Sequence, residues 1–439
     1  MDAIIERILS AIEEHREEIL SFARDVYSHA ELGYKEYRTS ALFEEKLKAL
    51  GLPTEAGLAI TGVKGRLNAE KTGSSSVALL GELDALRIPE HRLANPDTGA
   101  AHCCGHHAQL AGVYGAALAL TRPEVAAALD GQVIFFATPA EEYGEVEFKK
   151  RLMREGKLRL GGGKCELIRI GAFDDVDVAV THHSGLEGIT LGGRSGNGFV
   201  SKVITIRGTA AHAAAHPEAG RNALSAASLG LQALALNRET FRDEDCVRVH
   251  PILTKGGDLV NVVPAEAVLE TLVRAKTREA IEDANTKTDR SFRSGALAMD
   301  TGLTIETMPG YLPVLRQKTP EEILRAVQAA LGTERVKPAD LSNHDGGSTD
   351  VGDVQHLLPV LTFHTGGMAG NLHTSDFDIV DEEEAYLDTA RIFAIHAYLL
   401  LKDHAALAKK LKTEYTPVFS DKEEYSAYVE AFRSELVFG

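Results

Sequence analysis

The sequence predicts an α/β protein in two parts: an open, mostly parallel sheet carrying a metal site, and an α+β unit inserted into it. Three observations point there. Residues 76–84, 133–142 and 176–183 are continuous apolar runs, the pattern of strands buried on both faces, and each ends in acids or histidines. Residues just past such strands lie at the sheet's C-terminal edge, where open α/β folds place their sites. After Gly192 the composition turns β-branched, and the buried-strand style resumes only at Val360. Finally, 439 residues exceed one ordinary core, so two domains are expected.

Taken in order, residues 2–50 carry helical periodicity, broken at Glu31-Leu32-Gly33-Tyr34. The short apolar stretch 58–67, with Gly62 and Gly65, reads as a strand pair. The strand 76–84 follows, then a Cys/His-rich loop at 101–109, then an Ala/Leu-rich helix at 110–120. Between the second and third apolar strands, 145–164 is rich in Lys, Arg and Gly and reads as a solvated helix and a turn, with a loop bordering the active-site mouth as the alternative. In the inserted part, 197–207 is a β-branched strand, and 208–217 a small-residue loop containing His212. A helix at 222–236 comes next, and strands at 247–253 and 267–275 flank a glycine-rich loop with Asn261. A charged helix at 277–294 and a strand at 303–307 complete an antiparallel unit. Residues 360–367 and 371–378 return to buried strand and site loop, and 406–439 read as a charged helical tail.

Of the nine residues from Ala101 to Gln109, five (His102, Cys103, Cys104, His106, His107) can bind a transition metal. Gly105 lets the backbone turn so that Cys104 and His106 reach one ion. A net charge of −17 argues against nucleic acid and anionic membranes as partners, while leaving a small anionic substrate open. No apolar run approaches the ~20 residues of a membrane span. The opening residues form an acidic amphipathic helix without the basic and apolar regions of a secretory signal. With adjacent Cys103 and Cys104 reading as metal or catalytic residues instead of a disulfide framework, a cytoplasmic protein is expected.

Together these residues resemble the zinc aminoacylase/carboxypeptidase clan of metallohydrolases, especially its branch of indole-acetyl-amino-acid and aminobenzoyl-glutamate hydrolases. The resemblance is carried by His29-Ala-Glu-Leu-Gly33, Leu83-Asp-Ala-Leu86, His102-x-Cys-Gly-His106, Pro139-Ala-Glu-Glu142, Ala211-His-Ala213 with Gly220-Arg-Asn222, Asn261-Val-Val-Pro264 and His373. Ser348-Thr-Asp-Val-Gly-Asp353 looks like the aminobenzoyl-glutamate subgroup. The resemblance implies Cys104, His106, Glu142, His183 and His373 as ligands, with His182 an alternative to His183. It implies one or two divalent ions per subunit, zinc or manganese, with Glu141 as general base and Asp84 orienting a ligand histidine. Adjacent side chains at a strand end point opposite ways, so one ligand and one base is a natural division of Glu141 and Glu142. It further implies a catalytic domain of residues 1–195 and 313–439 and a lid/dimerisation domain of 196–312. From that lid, His212 and Asn261 would reach the partner subunit's active site to bind substrate or a developing oxyanion, and Arg274 would hold a carboxylate. A homo-oligomer acting on a small molecule is therefore expected.

One departure stands out. The branch carries Asp directly after Cys-Gly-His, where this chain has His107, which is expected to meet substrate beside the metals. Glu82 likewise replaces the acid that opens the Asp-x-Asp-Ala motif. The leading expectation is metal-dependent hydrolysis of an acyl- or aroyl-amino acid amide. The alternative is hydrolytic deamination of an activated aromatic amine such as 5-nitroanthranilate, and a non-catalytic partner subunit is a third.

Overall fold

The computed structural model describes residues 2–439. The chain divides into two compact units. The first comprises Met1–Arg194, Leu315–His344 and Asp353–Lys422; the second comprises Ser195–Val314, Asp345–Gly352 and Glu423–Gly439.

The first unit is built on an eight-stranded sheet. From edge to edge its strands are Thr54–Leu58, Gly62–Leu67, Gly131–Thr138, Ser75–Glu82, Val178–Ser184, Val360–Thr365, Ile189–Leu191 and Val336–Pro338. The four central strands run parallel. The first two strands are antiparallel additions, and Ile189–Leu191 reverses against Val360–Thr365. Every residue of Ser75–Glu82 is buried, as its unbroken apolar run requires of a strand covered on both faces. The parallel direction brings the ends of three apolar strands to one edge, so that Glu82, Asp84, Glu141, Glu142 and His183 converge. Helix His106–Leu120 is buried along its whole length and has no polar face, which suits an element enclosed by other helices. It packs against Thr389–Glu414, where a β-carbon on Gly112 would lie 2.4 Å from Thr389.

The second unit is an antiparallel sheet ordered Arg248–Val249, Glu266–Ala275, Gly198–Arg207, Gly302–Tyr311 and Ser434–Phe438, with Ile252–Lys255 also on Glu266–Ala275. Buried and half-buried residues alternate strictly along Glu266–Ala275, because helices Ala223–Asn237 and Arg278–Ala298 supply its core. A buried Lys202 donates to Asp289 at 2.6 Å and to Thr307 at 2.7 Å.

The end of the chain differs from expectation. Helix Thr389–Glu414 is broken at Lys402, Asp403, His404 and Ala405, and a second helix spans Lys422–Glu430. Ser434–Phe438 is not helical but closes the second sheet, pairing from Leu303↔Phe438 to Thr307↔Ser434. Leu436 and Phe438 pack on that unit's core, which is what a period-two run can do once a free strand edge lies within reach. The expected unbroken run 313–439 is thereby interrupted, since Asp345–Gly352 and Glu423–Gly439 belong to the second unit.

Candidate metal centre

The centre begins at Gly105. Its φ of +83° turns the chain into helix His106–Leu120, and a β-carbon there would lie 2.0 Å from the Ser184 hydroxyl. Cys104 and His106 are thereby set on either side of a tight bend, buried at the sheet's edge.

Cys104 Sγ lies 3.4 Å from His183 Nε2 and 3.2 Å from His373 Nε2. His373 Nε2 is in turn 3.3 Å from Glu142 Oε1. Three groups of ligand atoms lie within 4.8 Å of one another: Cys104, His106 and His183; Cys104, Glu142 and His373; and Glu82, His106 and Glu141. The first two groups share Cys104, and the first and third share His106.

The histidines are oriented for ligation. His106 Nδ1 donates to the Asp84 carbonyl at 2.9 Å, and His183 Nδ1 donates to the Ser184 carbonyl at 2.8 Å. Each bond fixes the proton on Nδ1 and turns the Nε2 lone pair toward the centre. His106 Nε2 and Glu142 Oε1 are buried without a hydrogen bond, and their near neighbours, Glu82 Oε2 at 3.1 Å and His373 Nε2 at 3.3 Å, are themselves ligand-type atoms, an arrangement a cation would satisfy. His373 holds φ of +63°, unusual for a residue with a side chain, and its amide is anchored on the Cys103 carbonyl at 2.8 Å. Thiolate, imidazole and carboxylate donors together fit zinc, and also manganese at the imidazole and carboxylate positions.

Asp84 serves two neighbours. Its Oδ2 accepts from the Glu142 amide at 2.8 Å, and its Oδ1 is 3.3 Å from His106 Nδ1. Burial opposes its charge, but the His106 hydrogen bond holds the carboxyl down at about 2. Burial would also lower His106, yet Glu82, with Cys104 and Asp84, raises it well above the ordinary range. Burial, then the nearby Glu142 charge, pushes the Cys104 thiol up. A cation taking these ligands must displace the protons from thiol and imidazole.

Alternation along Val178–Ser184 separates the two adjacent histidines. His183 faces the centre, while His182 is buried in the core, its Nε2 on the Thr365 hydroxyl at 2.7 Å and its ring 5.0 Å from Phe363. His107 corrects an expectation. Its fully buried ring stacks on Tyr27 at 4.3 Å, with the edge of Tyr386 at 5.7 Å, and burial depresses its protonation. Its ring lies in an aromatic stack and outside the groups of ligand atoms.

His212, Asn261 and Arg274 belong to the second unit. The backbone joins the loops of the first two: Ala213 N donates to Asn261 O at 3.0 Å, and Val263 N to Ala211 O at 2.9 Å. His212 Nδ1 accepts from the amides of Ala214 and Ala215 at 3.3 and 3.0 Å, so the exposed ring carries its proton on Nε2, free to donate. Arg274 stacks over Phe199 at 5.5 Å and donates to Ser348 at 3.1 Å.

Several site neighbours were not legible in the sequence. Lys164 is fully buried and donates to Glu82 at 2.5 Å, and Gln109 donates to the other Glu82 oxygen at 2.7 Å. Lys149, on helix Val146–Arg154, is buried and donates to the Glu142 carbonyl at 2.8 Å. The stretch read as solvated thus contributes two interior cations. A sequence signal for Lys149 was Leu152, three residues later and on the same helical face.

A sequence model of the family described as Peptidase family M20/M25/M40 matches residues 78–397. The human Xaa-Arg dipeptidase is 28% identical over 410 residues, covering 88% of this chain and 85% of that protein. The indole-3-acetyl-aspartic acid hydrolase of Enterobacter agglomerans is 26% identical over 435 residues, covering 82% of this chain and 91% of that protein. Among solved structures, the Bacillus subtilis YXEP protein, a dinuclear metal-binding peptidase, superposes with a TM-score of 0.64 at 20% identity. That superposition covers 89% of this chain and 99% of the other.

Proposed function

From its membership of peptidase family M20/M25/M40, to which this chain belongs, we propose that it hydrolyses the amide bond of an N-acyl- or N-aroyl-amino acid or a dipeptide. The observation that carries this reading is the pair of ligand groups sharing Cys104, with Glu141 beside the ligand Glu142. We take Cys104, His106, Glu142, His183 and His373 as the residues that hold zinc or manganese, and the shared thiolate favours two ions. Bound divalent ions supply Lewis-acid polarisation of the scissile carbonyl and bring water within reach of deprotonation near neutrality.

The chain's own residues do the rest. Glu141 takes the proton of the attacking water and passes it to the departing amine. Asp84 holds the Glu142 amide and the His106 ring, so ligand and base keep one geometry. The protonated Nε2 of His212 is suited to stabilise the oxyanion, with Asn261 beside it and Arg274 as a candidate carboxylate holder. We assign His212 and Asn261 to the active site of a partner copy, which makes a homodimer through the second unit the working assembly. Exposed Ile252, Leu253, Leu259 and Val260 on and beside that unit's edge strand support it. Among the described residues no helix is long and apolar enough to cross a membrane; we place the chain in a reducing, cytoplasmic setting because adjacent Cys103 and Cys104 suit one. The aryl-amine reading drew on His107 standing beside the metals, and with that ring in the Tyr27 stack nothing in the site favours it.

The test is a screen of acyl-amino acids, aroyl-amino acids and dipeptides, including Xaa-Arg. Turnover is expected to release amine and carboxylate in equal amounts, to vanish on chelation and to return with Zn²⁺ or Mn²⁺. Ammonia release with no carboxylic acid product would overturn the reading.

A further inference from the structure

The turn from Pro139 to Glu142 carries both the base and a ligand of the proposed reaction, and its conformation is not one the chain adopts unaided. Ala140 has φ of +47°, a left-handed conformation that disfavours any residue with a β-carbon. Four separate parts of the first unit hold it. The Ala140 amide donates to Glu36 Oε1 at 2.8 Å, and its carbonyl accepts from Gly163 N at 3.1 Å. The Glu142 amide donates to Asp84 and its carbonyl accepts from Lys149, each at 2.8 Å. Gly163 can approach only because it lacks a β-carbon, which would lie 1.6 Å from the Pro139 carbonyl oxygen.

Of these holds, Glu36 is the group for which hydrolysis has no direct use. It is fully buried just before helix Tyr37–Ala49, and its Oε2 accepts from the Thr61 hydroxyl at 2.7 Å. Both side-chain partners are neutral donors, so no cation offsets the burial of the carboxyl through these bonds. Burial and the nearby Asp84 charge push the Glu36 carboxyl up to about 7, so an acid is a costly choice here if only packing is required. Its Oε1 instead fixes the amide of a strained residue directly before Glu141, while Oε2 is anchored on the Thr61 hydroxyl. We propose that Glu36 is a positioning residue for the Glu141–Glu142 pair, acting through the amide of Ala140. It sets where the Glu141 carboxylate stands and how Glu142 presents its ligand oxygen. This rests on the reading of Glu141 as base and Glu142 as ligand.

The experiment compares Glu36→Ala, Glu36→Gln and Glu141→Gln in the full chain. It measures kcat and KM per folded molecule, and Zn²⁺ affinity by competition with a chromophoric chelator. Glu36→Ala is expected to lower kcat and to weaken Zn²⁺ binding, each roughly 10- to 100-fold, with KM little changed. Glu36→Gln keeps an oxygen for the Ala140 amide and can donate to the Thr61 hydroxyl, so it is expected to restore most of both. Wild-type kcat and Zn²⁺ affinity in folded Glu36→Ala would overturn the proposal, as would a loss that Glu36→Gln shares in full. If Glu36→Ala does not fold, Thr61→Val loosens the same carboxyl, and kcat and Zn²⁺ affinity both unchanged in it would overturn the proposal. Undiminished turnover by Glu141→Gln would instead defeat the hydrolytic assignment of Glu141, leaving Zn²⁺ affinity to decide the positioning of Glu142.

Discussion

Glu141→Gln is expected to fold and retain its metal while kcat falls by roughly 10²–10⁴-fold, the usual contribution of a general base, or by more because the same group generates the nucleophile. The amide matches the carboxylate in size but cannot accept the proton. Glu141 Oε2 stands 3.9 Å from His106 Nε2, close enough to serve water activated at the centre without belonging to either ligand group built on Cys104. Glu142 is a different position. Its amide is held by Asp84 and its carboxylate lies against His373, so Glu142→Gln is expected to lose metal as well as turnover. Metal analysis and kcat measured on both variants separate the two roles. Near-normal turnover by a well-folded Glu141→Gln protein would remove Glu141 from the mechanism.

His212→Ala is expected to lower kcat/KM by about 2.7–4 kcal/mol, the range measured for an oxyanion donor, with metal content unchanged. Its Nδ1 is already engaged by two backbone amides, so the variant loses an outward-facing Nε2 donor and little packing. The assignment to a partner's site makes a sharper claim. Mixing His212→Ala with Glu141→Gln subunits should restore roughly a quarter of wild-type activity, because half of randomly paired two-fold dimers are mixed and each of those has one intact site. A differently tagged pair of chains shows whether subunits exchange. Exchange without recovered activity would place His212 in its own chain's chemistry or in none, and a monomer with full activity would remove the dimer from the mechanism.

Much of the catalytic unit was legible because its signals are local. A strand buried on both faces must be a continuous apolar run, and the residues after parallel strands must gather at one edge. Residues 76–84, 133–142 and 176–183 therefore announced both sheet and site. The bend at Gly105 was legible for the same reason, since cysteine and histidine two positions apart need a residue that tolerates positive φ. The alternating inserted unit was legible up to its last strand. Ser434–Phe438 was not, because five residues of alternating pattern mean little until the edge of Gly302–Tyr311 is there to receive them.

Side-chain direction and the burial of charge were decided only by the tertiary structure. His106 and His107 are neighbours in sequence but stand about 100° apart around a helix, so one meets the metal edge and the other meets Tyr27. His182 and His183 diverge by the alternation of a strand whose facing had no local mark. Lys149, Lys164 and Glu36 look like surface charges in the sequence, yet all three are buried, Lys164 and Glu36 on partners far along the chain and Lys149 on the Glu142 carbonyl. An ionisable side chain is stable in the interior only where the whole fold delivers its partner, so packing alone determined what holds the proposed ligands and base in place.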